Sequence, residues 1–333
     1  MKSFSSFGFL LLVGIAFAAP PKSADDETVV VTKDFYPDSF VKYKSQHDIV
    51  NIVVPLNSLN FDENESGSSE ETDITLFFVE ADKNGDELTY QGLYVFKNDK
   101  ATKLLDNGRD AGASSDDSKQ VFLAAQDGLY EYKAETKEAV KYGSVTDSII
   151  GIAVTNTSDI IYILTEDHEV YKVTDGGNTK TKVEEVVNAK EIVLDFSNNL
   201  YFYADDKEPY VLTADGVKKI NGLPSHPTKV RLVKPPFIID DGVPFISDTV
   251  AYIIYANGTC EPSGFEFKPK VIPTAFGMEG TLIQYFGYNK KIYEYNILAM
   301  VLGEILDDLK NFLEDKKSSI ETLAQSPRRN KHA

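Results

Sequence analysis

Hydrophobic and polar residues alternate at period two through most of the chain, in short runs that end in charged or glycine-containing turns. QVFLAAQ followed by DGLYEYKA shows the unit: an apolar run, a polar turn, then a strand with a hydrophobic-Tyr pair. The same order recurs in DITLFFVE with QGLYVFKN, DIIYILTED with HEVYKVTD, NLYFYADD with EPYVLTAD, VPFISD with TVAYIIYAN, and TLIQYFGYN with KKIYEYNI. The second-strand aromatics Tyr94, Tyr130, Tyr171, Tyr210, Tyr252 and Tyr293 lie 36, 41, 39, 42 and 41 residues apart. Helical repeats share that spacing, but alternation rich in Tyr, Val, Ile and Phe belongs to strands. A period near 40 residues built from strands predicts propeller blades.

Further segments complete the units. SIIGIAVT (148–155), KEIVLDF (190–196) and VIPTAF (271–276) precede the pairs, and TKLLD, EAVKYG, TKVEEVV and VKKING follow them. One four-stranded sheet exposes two apolar faces and cannot bury either alone; six arranged radially cover one another. The expected fold is all-β, a six-bladed β-propeller over residues 19–296. NGRDAGASS, where the second unit needs its first strand, holds little that favours a sheet. The last unit lacks a fourth strand after Tyr295, so an N-terminal strand from ETVVVTK or DIVNIVVP is expected to close it.

Past the repeats the period changes. Leu298, Val301, Leu302, Ile305, Leu309, Phe312 and Leu313 follow helical spacing, which predicts a C-terminal amphipathic helix over 297–324. It is expected to cap one end of the ring. SPRRNKHA reads as a basic, disordered tail over 325–333. At the other end, Lys2 precedes an apolar run from Phe7 to Phe17, with Ala16 and Ala18 placed for cleavage. That pattern predicts a secretory signal peptide over residues 1–18. The run falls short of the ~20 residues a spanning helix needs, and no later segment suggests a membrane span.

Composition sharpens this picture. A net charge of −18, from 52 acidic and 34 basic residues, repels nucleic acid and anionic membranes and argues for a soluble monomer. Secretion usually brings disulfides, but Cys260 is the single cysteine, so stability must come from packing. Cys260 reads as a small core residue, or else as a link between chains. Three N-glycosylation sequons begin at Asn64, Asn156 and Asn257.

Catalytic signatures are missing. The four histidines, His47, His168, His226 and His332, stand in unrelated contexts. No zincin, nucleophile-elbow, P-loop or dinucleotide motif occurs, and no metal or cofactor is expected. Asp82, Asn84 and Asp86 in ADKNGDELTYQG have a spacing that suggests calcium. Glu87 and Leu93 stand where an EF-hand needs Gly and Glu, so a hairpin turn is the better reading.

The junction DNGRDAGASSDD (106–117) differs from the rest. Connections between blades reach the end of the ring where inner strands start, around the mouth of the central channel. Arg109 and Asp110 would face that mouth, or would pair with each other to order a long connection. Equivalent junctions bring Asp147 and Ser148, Lys190, and Lys229 with Arg231. Cations over aromatic residues suit a planar anionic ligand, so Arg109, Asp110, Lys190 and Arg231 are the candidate binding residues.

The signal segment, the repeats and above all LLDNGRDAGASSDDSKQVFLAAQDGLYEY resemble the ommochrome-binding proteins of insect haemolymph, over roughly residues 70–295. The resemblance implies a secreted carrier of a small planar aromatic pigment that does not transform its ligand; it carries no binding residues with it. Two rivals stay open. One is a calcium-dependent lactonase-like propeller, for which Glu191 and Asp195 are the isolated acidic candidates among inner strands rich in Ile, Val and Ala. The other is an interaction protein of the yellow or royal-jelly sort, recruiting partners through 297–324.

Overall fold

Alternation at period two is realised as 25 short strands in a computed structural model that describes residues 28–55, 74–85, 87–116, 118–235, 242–278 and 283–296. The chain separates into two compact units, Met1–Tyr295 and Asn296–Ala333. The expected helix over 297–324, the tail and the signal segment lie outside the described residues.

Two N-terminal strands, β1 (Val29–Val31) and β2 (Val41–Lys44), precede the repeats. The first sheet holds β3 (Asp48–Val53), β4 (Leu76–Asn84), β5 (Glu87–Lys97) and β6 (Lys100–Leu105). The second holds β7 (Gly108–Ala113), β8 (Val121–Ala125), β9 (Gly128–Lys133) and β10 (Glu138–Lys141). The third runs β11 (Ile149–Val154), β12 (Ile161–Thr165), β13 (Val170–Thr174) and β14 (Thr179–Lys182). The fourth runs β15 (Glu191–Leu194), β16 (Leu200–Tyr203), β17 (Pro209–Thr213) and β18 (Gly216–Lys219). In the fifth, β19 (Val230–Leu232), β20 (Gly242–Ser247), β21 (Val250–Tyr255) and β22 (Cys260–Phe267) are joined by β1. The sixth has β23 (Ala275–Met278), β24 (Ile283–Tyr288), β25 (Lys291–Asn296) and, outermost, β2.

Apart from β1, each sheet is an antiparallel meander whose first repeat strand is innermost, and the inner strands β23, β3, β7, β11, β15 and β19 follow one another side by side. The fold is a six-bladed β-propeller. Apolar layers between neighbouring blades form its core. Phe77, Leu93 and Leu123 fill the first seam, Phe122, Ile149 and Ile163 the second, and Leu164, Ile192 and Phe202 the third. Tyr201, Phe245 and Ile254 fill the fourth, while Ile49, Phe78 and Tyr285 join the sixth blade to the first.

The recurring tyrosine has a local cause. Tyr94, Tyr130, Tyr171 and Tyr210 sit on third strands directly opposite Lys103, Lys141, Lys182 and Lys219 on fourth strands. Lysine ammonium groups lie over three of these rings, at 5.4 Å for Lys103 on Tyr94 and 4.4 Å for both Lys141 on Tyr130 and Lys180 on Tyr171. The tyrosines are half-buried rather than core residues. Ring faces covered by lysine stems let an outer strand tolerate charge while keeping its pairing.

Ring closure differs from expectation in its strand. Neither ETVVVTK nor DIVNIVVP completes the sixth blade; VKYK does, as β2, with Val41 opposite Tyr293 and Lys44 opposite Lys291. ETVVVTK instead supplies β1, which adds parallel to the outer edge of the fifth blade. DIVNIVVP is the inner strand β3 of the first blade. Between β1 and β2, Phe35 packs edge-on to Phe286 at 5.3 Å and Tyr36 stacks on Tyr288 at 4.1 Å. The Tyr295 hydroxyl donates to the Phe35 carbonyl, and the Tyr36 hydroxyl donates to the Val271 carbonyl at 3.1 Å. The N-terminal segment therefore laps two blades.

NGRDAGASS does form a strand. A Cβ on Gly112 of β7 would stand 2.8 Å from Val154 Cγ2 on the next inner strand. Crowding near the axis selects small residues there, against the β-branched preference of outer strands. The 81–92 stretch is the hairpin expected, with Asn84 opposite Glu87. Asp82, first of the calcium-like positions, accepts from His47 Nδ1 at 3.0 Å and from Gln91 Nε2 at 3.0 Å.

A polar cluster at one end of the ring

All inner strands start at the same end of the ring, and Asp110, Glu191 and Arg231 lie within the first three residues of theirs. Asp110, the third residue of β7, is buried. Its Oδ1 accepts from the Ala111 N–H at 2.8 Å, from Asn51 Nδ2 on β3, and from Lys234 Nζ at 3.0 Å. Its Oδ2 accepts from the Ile152 N–H on β11 at 2.8 Å. Four donors from four blades fill one carboxylate, which is how a buried charge is held without loss. Lys234 follows β19 and also donates to the Ala111 carbonyl. A lysine from the fifth blade thus reaches the second, halfway round the ring, and its side chain crosses the axis.

Arg231, on β19, donates through one terminal nitrogen to the Pro273 carbonyl at 3.3 Å and through the other to the Val50 carbonyl at 2.9 Å. It ties the fifth blade to the sixth and the first. Glu191 opens β15 and accepts the Leu232 N–H of β19 at 2.8 Å through Oε2. Burial pushes the Glu191 carboxyl above the usual carboxylate range; Arg231 and the Leu232 N–H oppose the shift, and Asp110 adds to it. Glu191 nevertheless keeps some accessible surface.

Two phenols border this cluster. Burial pushes the Tyr90 hydroxyl up to about 12, with Asp110 raising it further and Arg109 opposing. Burial and the neighbouring Glu191 carboxylate also raise Tyr203, against Arg231.

The four candidate residues divide. Asp110 and Arg231 belong to the cluster. Arg109 does not pair with Asp110: its guanidinium lies 5.3 Å from the Tyr90 ring centre, donates to Ser148 Oγ at 2.9 Å and stands 3.4 Å from Glu166 Oε2. The Arg109 side chain is 10% exposed, so it staples the first three blades together at their rim. Lys190 pairs with Asp205 at 2.9 Å, apart from the cluster. Lys234, Asn51, Tyr90 and Tyr203 went unread in the sequence, because only the topology brings positions up to 183 residues apart to one axis. Glu191 is not isolated, whereas Asp195 binds back to the Asn199 N–H at 2.8 Å in the turn after β15. Among the described residues no group of three or more His, Cys, Asp or Glu side chains is gathered where it could hold a metal ion.

Of the sequons, Asn64 lies outside the described residues. Asn156 spends its side-chain N–H on the Phe196 carbonyl of the next blade at 2.5 Å. Asn257 is exposed on the β21–β22 turn, where its Oδ1 accepts the Thr259 N–H at 2.9 Å and hydroxyl at 2.7 Å. Cys260 is half-buried against the fourth and fifth blades, and burial raises its thiol. Among the described residues no helix is long and apolar enough to cross a membrane.

No family model matches the chain, and no curated protein matches it. Solved structures do. A protein of unknown function from Bacteroides thetaiotaomicron superposes with a TM-score of 0.50 at 12% identity, over 76% of this chain and 70% of that one. The extracellular domain of a putative one-component system from the same organism gives 0.44 at 9% identity, over 75% of this chain and 41% of that one. At such identities the likeness concerns the fold alone.

Proposed function

We propose that the protein is a secreted, non-catalytic carrier that binds a small planar aromatic acid, of the ommochrome type, at the polar end of the ring. The observation that carries this reading is Arg231. Its guanidinium is held in place by two neutral carbonyls, with no carboxylate at ion-pair distance among the described residues. A fixed cation with unused N–H groups is a receptor for an acid group. Tyr90 and Tyr203 supply aromatic surface nearby, and the Lys234–Asp110 bridge spans the axis. The ligand rests on that bridge rather than threading the bore. Arg109 and Lys190, paired with Glu166 and Asp205, act as rim charges rather than ligand contacts.

The lactonase reading has less support. Asp110, the acid that meets the axis, takes the ammonium of Lys234, and Glu191 stands beside a guanidinium. Asp110 thus serves a cation of the chain itself, and Glu191 accepts a backbone N–H. The interaction-protein reading rests on residues 297–324, outside the described residues. In a secreted protein Asn257 is better placed for a glycan than Asn156, since it is exposed and its hydrogen bonds fall on its oxygen, whereas Asn156 commits its amide nitrogen.

The absorption spectrum of the protein isolated from its native fluid tests the proposal. A visible chromophore that co-purifies and changes on reduction fits a redox-active pigment. A colourless preparation that ignores added pigment contradicts it.

A further inference from the structure

Four charges meet at the polar end of the ring, and Arg231 and Glu191 have the most hydrogen-bonding capacity left. Asp110 is filled by Ala111, Ile152, Asn51 and Lys234. Lys234 gives two of its three N–H groups to Asp110 and the Ala111 carbonyl. Arg231 has five N–H groups and gives two of them to the Pro273 and Val50 carbonyls. Glu191 receives the Leu232 N–H on Oε2, and no donor among the described residues reaches Oε1. Arg231 and Glu191 come from adjoining inner strands, feel one another electrostatically, and do not form an ion pair. A spare donor set and a spare acceptor of opposite charge therefore face the same space.

A ligand that satisfies both must offer an anion to Arg231 and a donor to Glu191 only a few atoms away. A neutral donor would leave the buried carboxylate compensated only by Arg231 and Lys234 nearby, whereas an ammonium adds a direct ion pair. We infer that this end of the ring recognises an α-amino acid head group, with Arg231 taking its carboxylate and Glu191 its ammonium. The inference rests on the carrier reading above, since Tyr90 and Tyr203 then flank the aromatic part of the same molecule. It adds what that reading lacks: the ligand is a zwitterion at its polar end, not a simple aromatic acid.

The chain contains no tryptophan, so indole emission in a titration comes from ligand alone. Three probes separate the contributions: L-tryptophan, indole-3-propionate without the amine, and tryptamine without the acid. With the full-length protein, tryptophan should bind at least about tenfold more tightly than either analogue, the equivalent of one charged hydrogen bond. Glu191→Gln should remove the preference over indole-3-propionate by weakening tryptophan, while indole-3-propionate binds no more weakly than before, because a like charge beside its carboxylate is gone. Glutamine keeps an acceptor for the Leu232 N–H, and a circular-dichroism melt shows that the variant is folded. Equal binding of tryptophan and indole-3-propionate would overturn the head-group assignment and leave the carrier reading standing. Absence of tryptophan binding overturns the assignment whatever else binds. If the pigment fails to bind as well, the carrier reading falls with it.

Discussion

Lys234 Nζ lies 3.0 Å from Asp110 Oδ1, so the fifth blade holds the second across the ring axis. Two backbone N–H groups, of Ala111 and Ile152, donate to the same carboxylate. Removing the ammonium leaves a buried carboxylate undercompensated, which costs more than the pair itself contributes.

Lys234→Met should destabilise the protein by about 2 kcal/mol, below the range for fully buried pairs because the lysine side chain is 28% exposed. Adding Asp110→Asn should restore part of the loss. A denaturant double-mutant cycle measures the coupling, and simple additivity of the two changes would deny it.

Glu191 governs the response to pH. Its folded carboxyl titrates above the unfolded one, so between those two values the folded state holds more protons and stability falls as pH rises. Below the unfolded value the effect vanishes, and above the folded value the full penalty is present. Glu191→Gln should therefore melt higher than wild type at neutral pH and nearly level with it at pH below the usual carboxylate range. A variant that melts lower at neutral pH would show the carboxylate to be stabilising.

Phe35 locks the N-terminal segment through Tyr36, Phe286 and Tyr295. Phe35→Ala should cost about 3 kcal/mol. Limited proteolysis should then cut first between β1 and β2, which hold the fifth and sixth blades. Initial cleavage elsewhere would mean that the segment is not what closes the ring.

Gly143 marks a contact between the second and third blades. Its φ is +66°, a Cβ there would meet the Gly177 carbonyl oxygen at 2.1 Å, and the next residue, Ser144, donates its N–H to that oxygen at 2.9 Å. Gly216, with φ +103° and open space around its Cβ position, is a control. Gly216→Ala should cost about 1 kcal/mol from the dihedral alone, and Gly143→Ala about 3 kcal/mol because the backbones must also part. Thermal melts compare them; equal losses would remove the close approach from the account.

Blade count and blade spacing were legible because each unit repeats a buried apolar strand followed by a strand with a hydrophobic-Tyr pair, and in the first four that tyrosine faces a lysine. The inner strand of the second blade was not, since Gly112 and Ala111 answer to crowding at the axis rather than to strand preference. Nor was β2: VKYK is short and charged, and it becomes a strand only because β25 offers an open edge. The site divided in the same way. Arg231 and Asp110 stood out as charges beside inner strands. Lys234, Asn51 and the two tyrosines carry no local signal, and ring closure alone makes them neighbours.

Calorimetric titration of an ommochrome-type pigment against wild type, Arg231→Gln and Lys190→Ala tests the central claim most directly. The account predicts one site per chain, an affinity lowered about tenfold or more by Arg231→Gln in a folded protein, and no change with Lys190→Ala. Wild-type affinity in Arg231→Gln, or a loss confined to Lys190→Ala, would contradict a binding site at the polar end of the ring.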